Sequence, residues 1–429
     1  MASPYNVSVA STLRGLAAPT LRGPASAGMT HRVYPQKMKS NGPVCGRRSA
    51  SGLPAMRAAS RATSGRAELA RAYGVARPPR YGSVSALAAP SPAPLQVLEA
   101  RPARVAGLAA TAYRLRRDHP YTGDEDLDRA LSTFRAVVVP PADGRAGAGV
   151  VTLLNGITKG LDRSVPAART AARAGVGAVL LDTPLGGTRR PGNEGHPGAD
   201  LAEFARRGVA LDVPFARRLF DGVAADLPAV LRLAEREHGL GADGRRALFG
   251  VSFGCLLSSL AFGRDGLGSH LVGAIGHPGL PAMARGLVAT FARFSGLPPA
   301  VVTGGLRLGP VAEAAARRYG GDGAVGALRL ARLLDALGRG GRALDGLDPL
   351  GFAGRVGPDR PVALLAGAED PVAPPADVRA AAAAYPSAAV ETLPALGHGW
   401  YPGARPAGAV SFEEASGAFL VRQLAGWTA

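Results

Sequence analysis

Three residues of this 429-residue chain have the types and order that acyl-transfer chemistry requires. Ser252 lies in RRALFGVSFGCLLSSLAFG (245–263), inside Gly250-Val251-Ser252-Phe253-Gly254. Asp370 closes PVALLAGAED (361–370), and His398 sits in LPALGHGW (393–400). A serine hydroxyl is a weak nucleophile at neutral pH. It needs a base to take its proton, and the base needs an acid to orient it. Ser252, Asp370 and His398 could supply these three roles. The 28 positions from Asp370 to His398 leave room for one helix (376–384) and one strand. With 59 glycines in the chain, Gly-x-Ser-x-Gly arises readily by chance, so the bare match is weak. Its weight depends on the elements around it.

Those elements alternate. Short apolar runs rich in Val, Leu and Ala read as strands at 135–142, 149–156, 177–184, 246–252, 271–277, 361–370 and 388–398. Amphipathic segments read as helices at 164–175 and 226–239, the second closing at Gly239, and at 411–427, where Ser411 and Glu414 form a capping box. Strands alternating with helices predict a mostly parallel sheet covered on both faces. The Gly- and Pro-rich stretch 185–198 reads as a loop. Between 282 and 347 the alternation stops and helical patterns follow one another, which predicts a helical insertion.

In this frame a strand enters Ser252 and a small apolar helix leaves it (Cys255, Leu256, Leu257, Leu260, Ala261). Strand, sharp turn and helix is the context that gives the serine motif its meaning. Asp370 and His398 each end a strand, so both side chains would emerge with Ser252 at the carboxyl edge of the sheet, where open parallel sheets place their sites. Glu369 is an alternative acid, but the period of two along a strand turns it the other way. His270 and His277 follow Ser252 but precede Asp370. His277 ends a strand beside the serine and is a candidate for lining the pocket. Asp182 with Arg189 and Arg190 could clamp a substrate anion, although in an arginine-rich chain such a loop is more often simply solvated.

The motifs GVSFG, LLAGAEDPVAPP, LPALGHGW and LLNGITKG, in this order of roles, resemble the α/β-hydrolase superfamily over residues ~105–429. The resemblance implies an α/β-hydrolase fold with a helical cap, the triad Ser252, Asp370 and His398, and an oxyanion hole of two backbone N–H groups. One belongs to Phe253, and the other comes from NGITKG, with Ile157 the first choice and Thr158 the second. Many relatives have His-Gly where this chain has Asn155-Gly156. Asn155, Thr158, His277 and Trp400 are candidates for contacting substrate. The implied activity is hydrolysis of a carboxylic ester through an acyl-enzyme, with no cofactor and no metal. A thioesterase or acyltransferase would use the same triad, and a non-catalytic binding module on the same fold is the alternative of another class.

Composition narrows the partners. The net charge of +18 suggests nucleic acid, but residues 1–104 hold 15 Lys and Arg against two acids, Glu68 and Glu99, while residues 105–429 carry a surplus of only five. The body has no basic stripe with interleaved aromatics, so nucleic-acid binding is not expected. Two cysteines, Cys45 and Cys255, make neither a disulfide framework nor a zinc site. No apolar run is long enough for a membrane span. Residues 1–100 are rich in Ala, Ser, Arg, Pro and Gly and are expected to be either a disordered extension or an organelle transit peptide. The second case would place the protein in a plastid or other organelle, and the first in the cytoplasm.

Overall fold

The computed structural model describes residues 93–427 except 146, 158, 192–196, 295–320 and 400–408. Nine strands form one sheet: β1 (Gln96–Val105), β2 (Leu108–Arg116), β3 (Thr133–Val139), β4 (Val150–Leu154), β5 (Gly177–Leu181), β6 (Arg246–Val251), β7 (His270–Ala274), β8 (Val362–Gly367) and β9 (Ala388–Leu393). Their order is β1-β2-β3-β5-β4-β6-β7-β8-β9. From β5 to β9 every pairing is parallel, and β1, β2 and β3 join antiparallel. The sheet is thus mixed and mostly parallel.

The described helices are α1 (Glu125–Ser132), α2 (Val165–Arg173), α3 (Pro197–Arg206), α4 (Val213–His238), α5 (Phe253–Gly263), α6 (Leu280–Phe294), α7 (Gly321–Arg339), α8 (Pro375–Ala382) and α9 (Phe412–Gln423). The central strands β4, β5 and β8 are buried along their whole length, which is why they read as continuous apolar runs. Their alternate side chains enter two cores. Leu154, Leu248 and Leu364 pack with α1, α4, α5 and α8, and Leu153, Phe249 and Leu365 pack with α2 and α9. Helices therefore cover both faces.

Several boundaries differ from the sequence expectation. β1 and β2 have no apolar run to announce them. β1 is an edge strand exposed at most positions and opens at Gln96, before the alternation becomes visible near 105. Helix α4 starts at Val213, not at 226. Asp212 accepts a hydrogen bond from the Phe215 amide as its N-cap, and Gly239 closes it in the left-handed conformation, φ 66°. Asp-Leu-Pro at 226–228 looks like a helix start, yet Pro228 lies within the helix. The loop expected at 185–198 gives way to α3 at Pro197. The terminal helix has its Ser411–Glu414 capping box but ends at Gln423, before a short 3-10 turn to Trp427.

Asp226 is buried instead of capping, and it anchors a charged core. It takes Arg117 Nε at 2.6 Å and Arg189 Nη1 at 2.6 Å, with all three side chains almost fully excluded from water. Arg189 also donates to Tyr121 Oη and to the Leu131 carbonyl. Arg190 pairs with Asp200 of α3. The pair expected to be either a substrate clamp or a solvated loop is therefore spent on internal ion pairs, because both guanidinia face inward among carboxylates. Removing the shared partner strands two buried cations. Asp226→Ala is expected to lose ~3–5 kcal/mol of stability, read by chemical denaturation.

In the stretch 282–347, expected to be a helical insertion, residues 295–320 lie outside the described residues, and the described parts hold α6 and α7. Helix α7 packs on α6 and on α3. At Gly326 of α7 a Cβ would overlap the Leu201 carbonyl of α3, and Arg285 of α6 donates to the Gly338 carbonyl of α7 at 2.7 Å. Among the described residues no helix is long and apolar enough to cross a membrane.

Candidate functional site

Ser252 sits between β6 and α5 with φ 54° and ψ −116°, a conformation that non-glycine residues rarely adopt. Its amide donates to the Ala274 carbonyl of β7 at 3.0 Å. The flanking glycines are sterically required. A Cβ on Gly250 would overlap the Gly254 carbonyl, and one on Gly254 would overlap the Leu154 carbonyl at the end of β4. Both obstacles are backbone and cannot swing aside, so the helix start rests directly on the neighbouring strand. The same crowding reaches Gly276, where a Cβ would lie 2.8 Å from the Ser252 carbonyl oxygen.

Ser252 Oγ lies 2.7 Å from His398 Nε2. On the other side of the ring, Nδ1 is 3.0 Å from both oxygens of Asp370. A carboxylate accepts, so Nδ1 carries the proton, and Nε2 is left to accept from the serine hydroxyl. The Asp370 side chain is fully buried, and His398 is largely so. Asp370 is also the turn aspartate that Asp-Pro suggests. Its Oδ1 accepts from the amides of Val372 (2.8 Å) and Ala373 (3.0 Å), and these donors offset the burial of its charge. Glu369 is exposed, but β8 already ends at Gly367, so the turn after the strand, and not the expected period of two, sets the two acids apart. β9 ends at Leu393, and His398 follows in a turn that passes through Ala395 at φ 56°.

On the opposite side of the serine, the loop after β4 closes in. A Cβ on Gly156 would lie 3.3 Å from Ser252 Cβ. Half-buried Ile157 follows it. Phe253 opens α5, so its N–H has no acceptor within the helix. Phe253 and the loop that carries Ile157 lie beside the nucleophile. Asn155 is buried, and its amide group is turned into its own loop. It is not set to contact substrate, because both ends of the side-chain amide are engaged internally. Thr158 and Trp400 lie outside the described residues.

His277 is buried as well. Its Nδ1 accepts from the Gly279 amide at 2.8 Å, and Nε2 faces the Asp377 carbonyl at 3.2 Å. Both nitrogens are thus occupied by backbone, which ties the loop after β7 to α8. Burial pushes its pKa from near 6.5 down to about 4. One residue on, the Leu280 amide at the start of α6 donates to Asp348 Oδ1 at 3.0 Å, and burial pushes that carboxyl up to about 6. Cys255 is fully buried against the elbow, and burial drives its thiol up to about 12, leaving it an inert packing group. Among the described residues no His, Cys, Asp and Glu cluster could hold a metal.

The approach of Gly156 to the serine is not legible in residue type or spacing, because it joins the loop after β4 to the end of β6. The strand order, the parallel crossovers and the Ser252 elbow are together those of the α/β-hydrolase fold. No protein-family model matches the chain, and no curated protein sequence does. Solved structures similar to it include TT1662 from Thermus thermophilus, at 17% identity and a TM-score of 0.41, covering 77% of this chain and 99% of that one. Est1E from Butyrivibrio proteoclasticus is 15% identical with a TM-score of 0.38, covering 76% and 99%. Acetyl xylan esterase 1 from Thermoanaerobacterium sp. JW/SL YS485 is 17% identical with a TM-score of 0.42, covering 72% and 84%. Likeness at this distance transfers no activity, and the fold assignment stands on the strand order and the elbow.

The buried pair His277 and Asp348 gives a pH prediction. Between pH 6.5 and 4 the unfolded state binds more protons at His277 than the folded state does, so this residue alone costs stability as pH falls. Between pH 6 and 3.8 the folded state binds more at Asp348, which adds stability as pH falls. The two slopes oppose each other. Asp348→Asn keeps the acceptor for Leu280 but removes the second slope. Its stability is expected to drop on the order of 2 kcal/mol more than that of the native protein between pH 6.5 and 4, measured by urea denaturation across that range.

Proposed function

We propose that this chain is a serine hydrolase of the α/β-hydrolase superfamily that cleaves carboxylic esters through an acyl-enzyme, using protein groups alone. The observation that carries the reading is the unbroken relay from Ser252 Oγ through His398 to buried Asp370. In this reading His398 Nε2 takes the hydroxyl proton as Ser252 Oγ attacks the acyl carbon. Asp370 accepts from Nδ1–H throughout. It holds the ring in the productive tautomer and stabilises the imidazolium that forms. The amides of Phe253 and Ile157 receive the negative charge that develops on the carbonyl oxygen. The tetrahedral intermediate collapses, the C–O bond to the leaving group breaks, and His398 returns its proton to the departing alkoxide. Water then attacks the acyl-serine by the same route, and Ser252 is restored.

The strain at Ser252 supports this reading. A positive φ at a serine is tolerated when the surrounding backbone over-determines it, and here Gly250, Gly254 and Gly276 leave no alternative path. The fully buried acid supports it too, since an aspartate with no solvent contact and a histidine at its mouth is an orienting group and not a surface ion pair.

A fluorophosphonate probe is expected to label the native protein at Ser252, and Ser252→Ala is expected to take no label. The same substitution is expected to lower kcat on p-nitrophenyl esters by about 10⁴- to 10⁶-fold. Labelling that persists in Ser252→Ala would reject the assignment. A series of acyl chain lengths maps the acyl pocket. Release of the acyl group to water, compared with release to an added alcohol or thiol, separates hydrolysis from transfer.

A further inference from the structure

The loop from Asn155 to Ser164 runs from the end of β4, past the nucleophile, to the start of α2. Among its described residues the backbone closes on itself through Lys159 N to Gly156 O at 3.2 Å and Arg163 N to Gly160 O at 3.3 Å, and through the 3-10 turn Leu161–Ser164. The tighter bonds within it come from one side chain. Asn155 Nδ2 donates to the Gly160 carbonyl at 2.8 Å, and Asn155 Oδ1 accepts from Ser164 Oγ at 2.7 Å. Asn155 and Ser164 are both buried.

Ser164 closes a 3-10 turn, Leu161–Ser164, that runs directly into α2, and its backbone is already helical. Its side chain makes no bond to the helix start. The hydroxyl is directed to Asn155, which gives the loop a fixed anchor. From outside, the Gly187 amide donates to the Lys159 carbonyl at 3.1 Å. Gly187 belongs to a turn built around buried Asp182, which accepts from Thr188 Oγ1 at 2.8 Å and from Arg135 Nε at 3.0 Å. The loop is therefore stapled inside by Asn155 and braced from the loop after β5.

What the staple holds in place is Gly156, against Ser252, and Ile157 beyond it. We infer that Asn155 is a positioning residue for the oxyanion hole: through Gly160 and Ser164 it fixes the loop that carries the Ile157 amide. This inference rests on the ester-hydrolase reading. Its chemistry requires an amide at this position. One planar group must donate at one end and accept at the other. An aspartate has no donor and would set an oxygen against the Gly160 carbonyl, and an alanine has neither group. A displaced oxyanion donor weakens binding of the transition state while leaving ground-state binding almost unchanged.

The test compares native protein with Asn155→Ala, Asn155→Asp, Ser164→Ala and the double variant Asn155→Ala/Ser164→Ala. Active sites are counted by stoichiometric fluorophosphonate labelling, so only folded, competent protein enters the rates. The aspartate variant is nearly isosteric and serves if the alanine variant fails to fold. Per labelled site, kcat on a p-nitrophenyl ester is expected to fall about 10- to 100-fold, with KM within about threefold of native. The affinity of a trifluoromethyl ketone, whose adduct places an oxyanion in the hole, is expected to weaken by the same factor as kcat. The affinity of the product acid is expected to hold. The double variant is expected to be no worse than Asn155→Ala, since both changes cut one connection. Unchanged kcat and ketone affinity in Asn155→Ala and Asn155→Asp would overturn the inference, as would a loss confined to KM, which would mark Asn155 as a substrate contact. Failure of the ester-hydrolase reading itself shows separately, as a native protein that takes no label at Ser252.

Discussion

The first turn of α5 lies against the carbonyl end of β4, and the rest of the site depends on that contact. Gly254 meets the Leu154 carbonyl with no space for a side chain. For the helix to start there, the chain must turn sharply out of β6, and the turn is what forces Ser252 to φ 54°. Its position in turn decides where a base must stand. The loop after β9 meets that requirement by placing His398 Nε2 at 2.7 Å. The loop after β4 starts from the same crowded point and passes the serine at Gly156. One close approach of backbone to backbone thus places the nucleophile and the loop that flanks it together.

Around this point the protein invests its buried polar groups in loops more than in elements. Asp370 is held by the amides of Val372 and Ala373, His277 ties the loop after β7 to α8, and Asp348 reaches the start of α6. Asn155 and Asp182 organise the loops after β4 and β5. Parallel strands end in irregular connections whose amides and carbonyls have no ladder partners, and each must find one when buried. Side chains at strand ends supply those partners. Rigid loops at the carboxyl edge are the outcome, and rigid loops are what a site of fixed donors requires. The charged core of Arg117, Arg189 and Asp226 does similar work further out, joining α4 to the loop that precedes α3.

Much of the fold was legible because the central strands are buried on both faces. A strand such as β4 or β8 has no solvent side to vary, so it appears as an unbroken apolar run. The edge strands β1 and β2 gave no such signal, since β1 has mostly exposed residues. Helix α4 was half hidden because Pro228 and Asp226 mimic a helix start. The aspartate belongs instead to a charge network whose other members are 109 and 37 residues away. His277 and the Arg189–Arg190 pair show the same blindness: a polar side chain at a strand end or in a loop can face solvent, substrate or core, and its neighbours in sequence do not say which.

The sequence by itself determined the kinds of chemistry available. It set a serine between two glycines after an apolar strand, with an aspartate and a histidine following later apolar runs in the right order. These are local properties, written in residue type, periodicity and spacing. Only the tertiary structure decided that the three meet, that Gly156 touches the serine, and that Asn155 turns away from the site to bind Ser164 and Gly160. The reason is physical. The triad and the approach of Gly156 join segments that neither periodicity nor propensity links, placed by how β4, β6, β8 and β9 lie in one sheet, while the Asn155 contacts are set by how one loop folds back on itself.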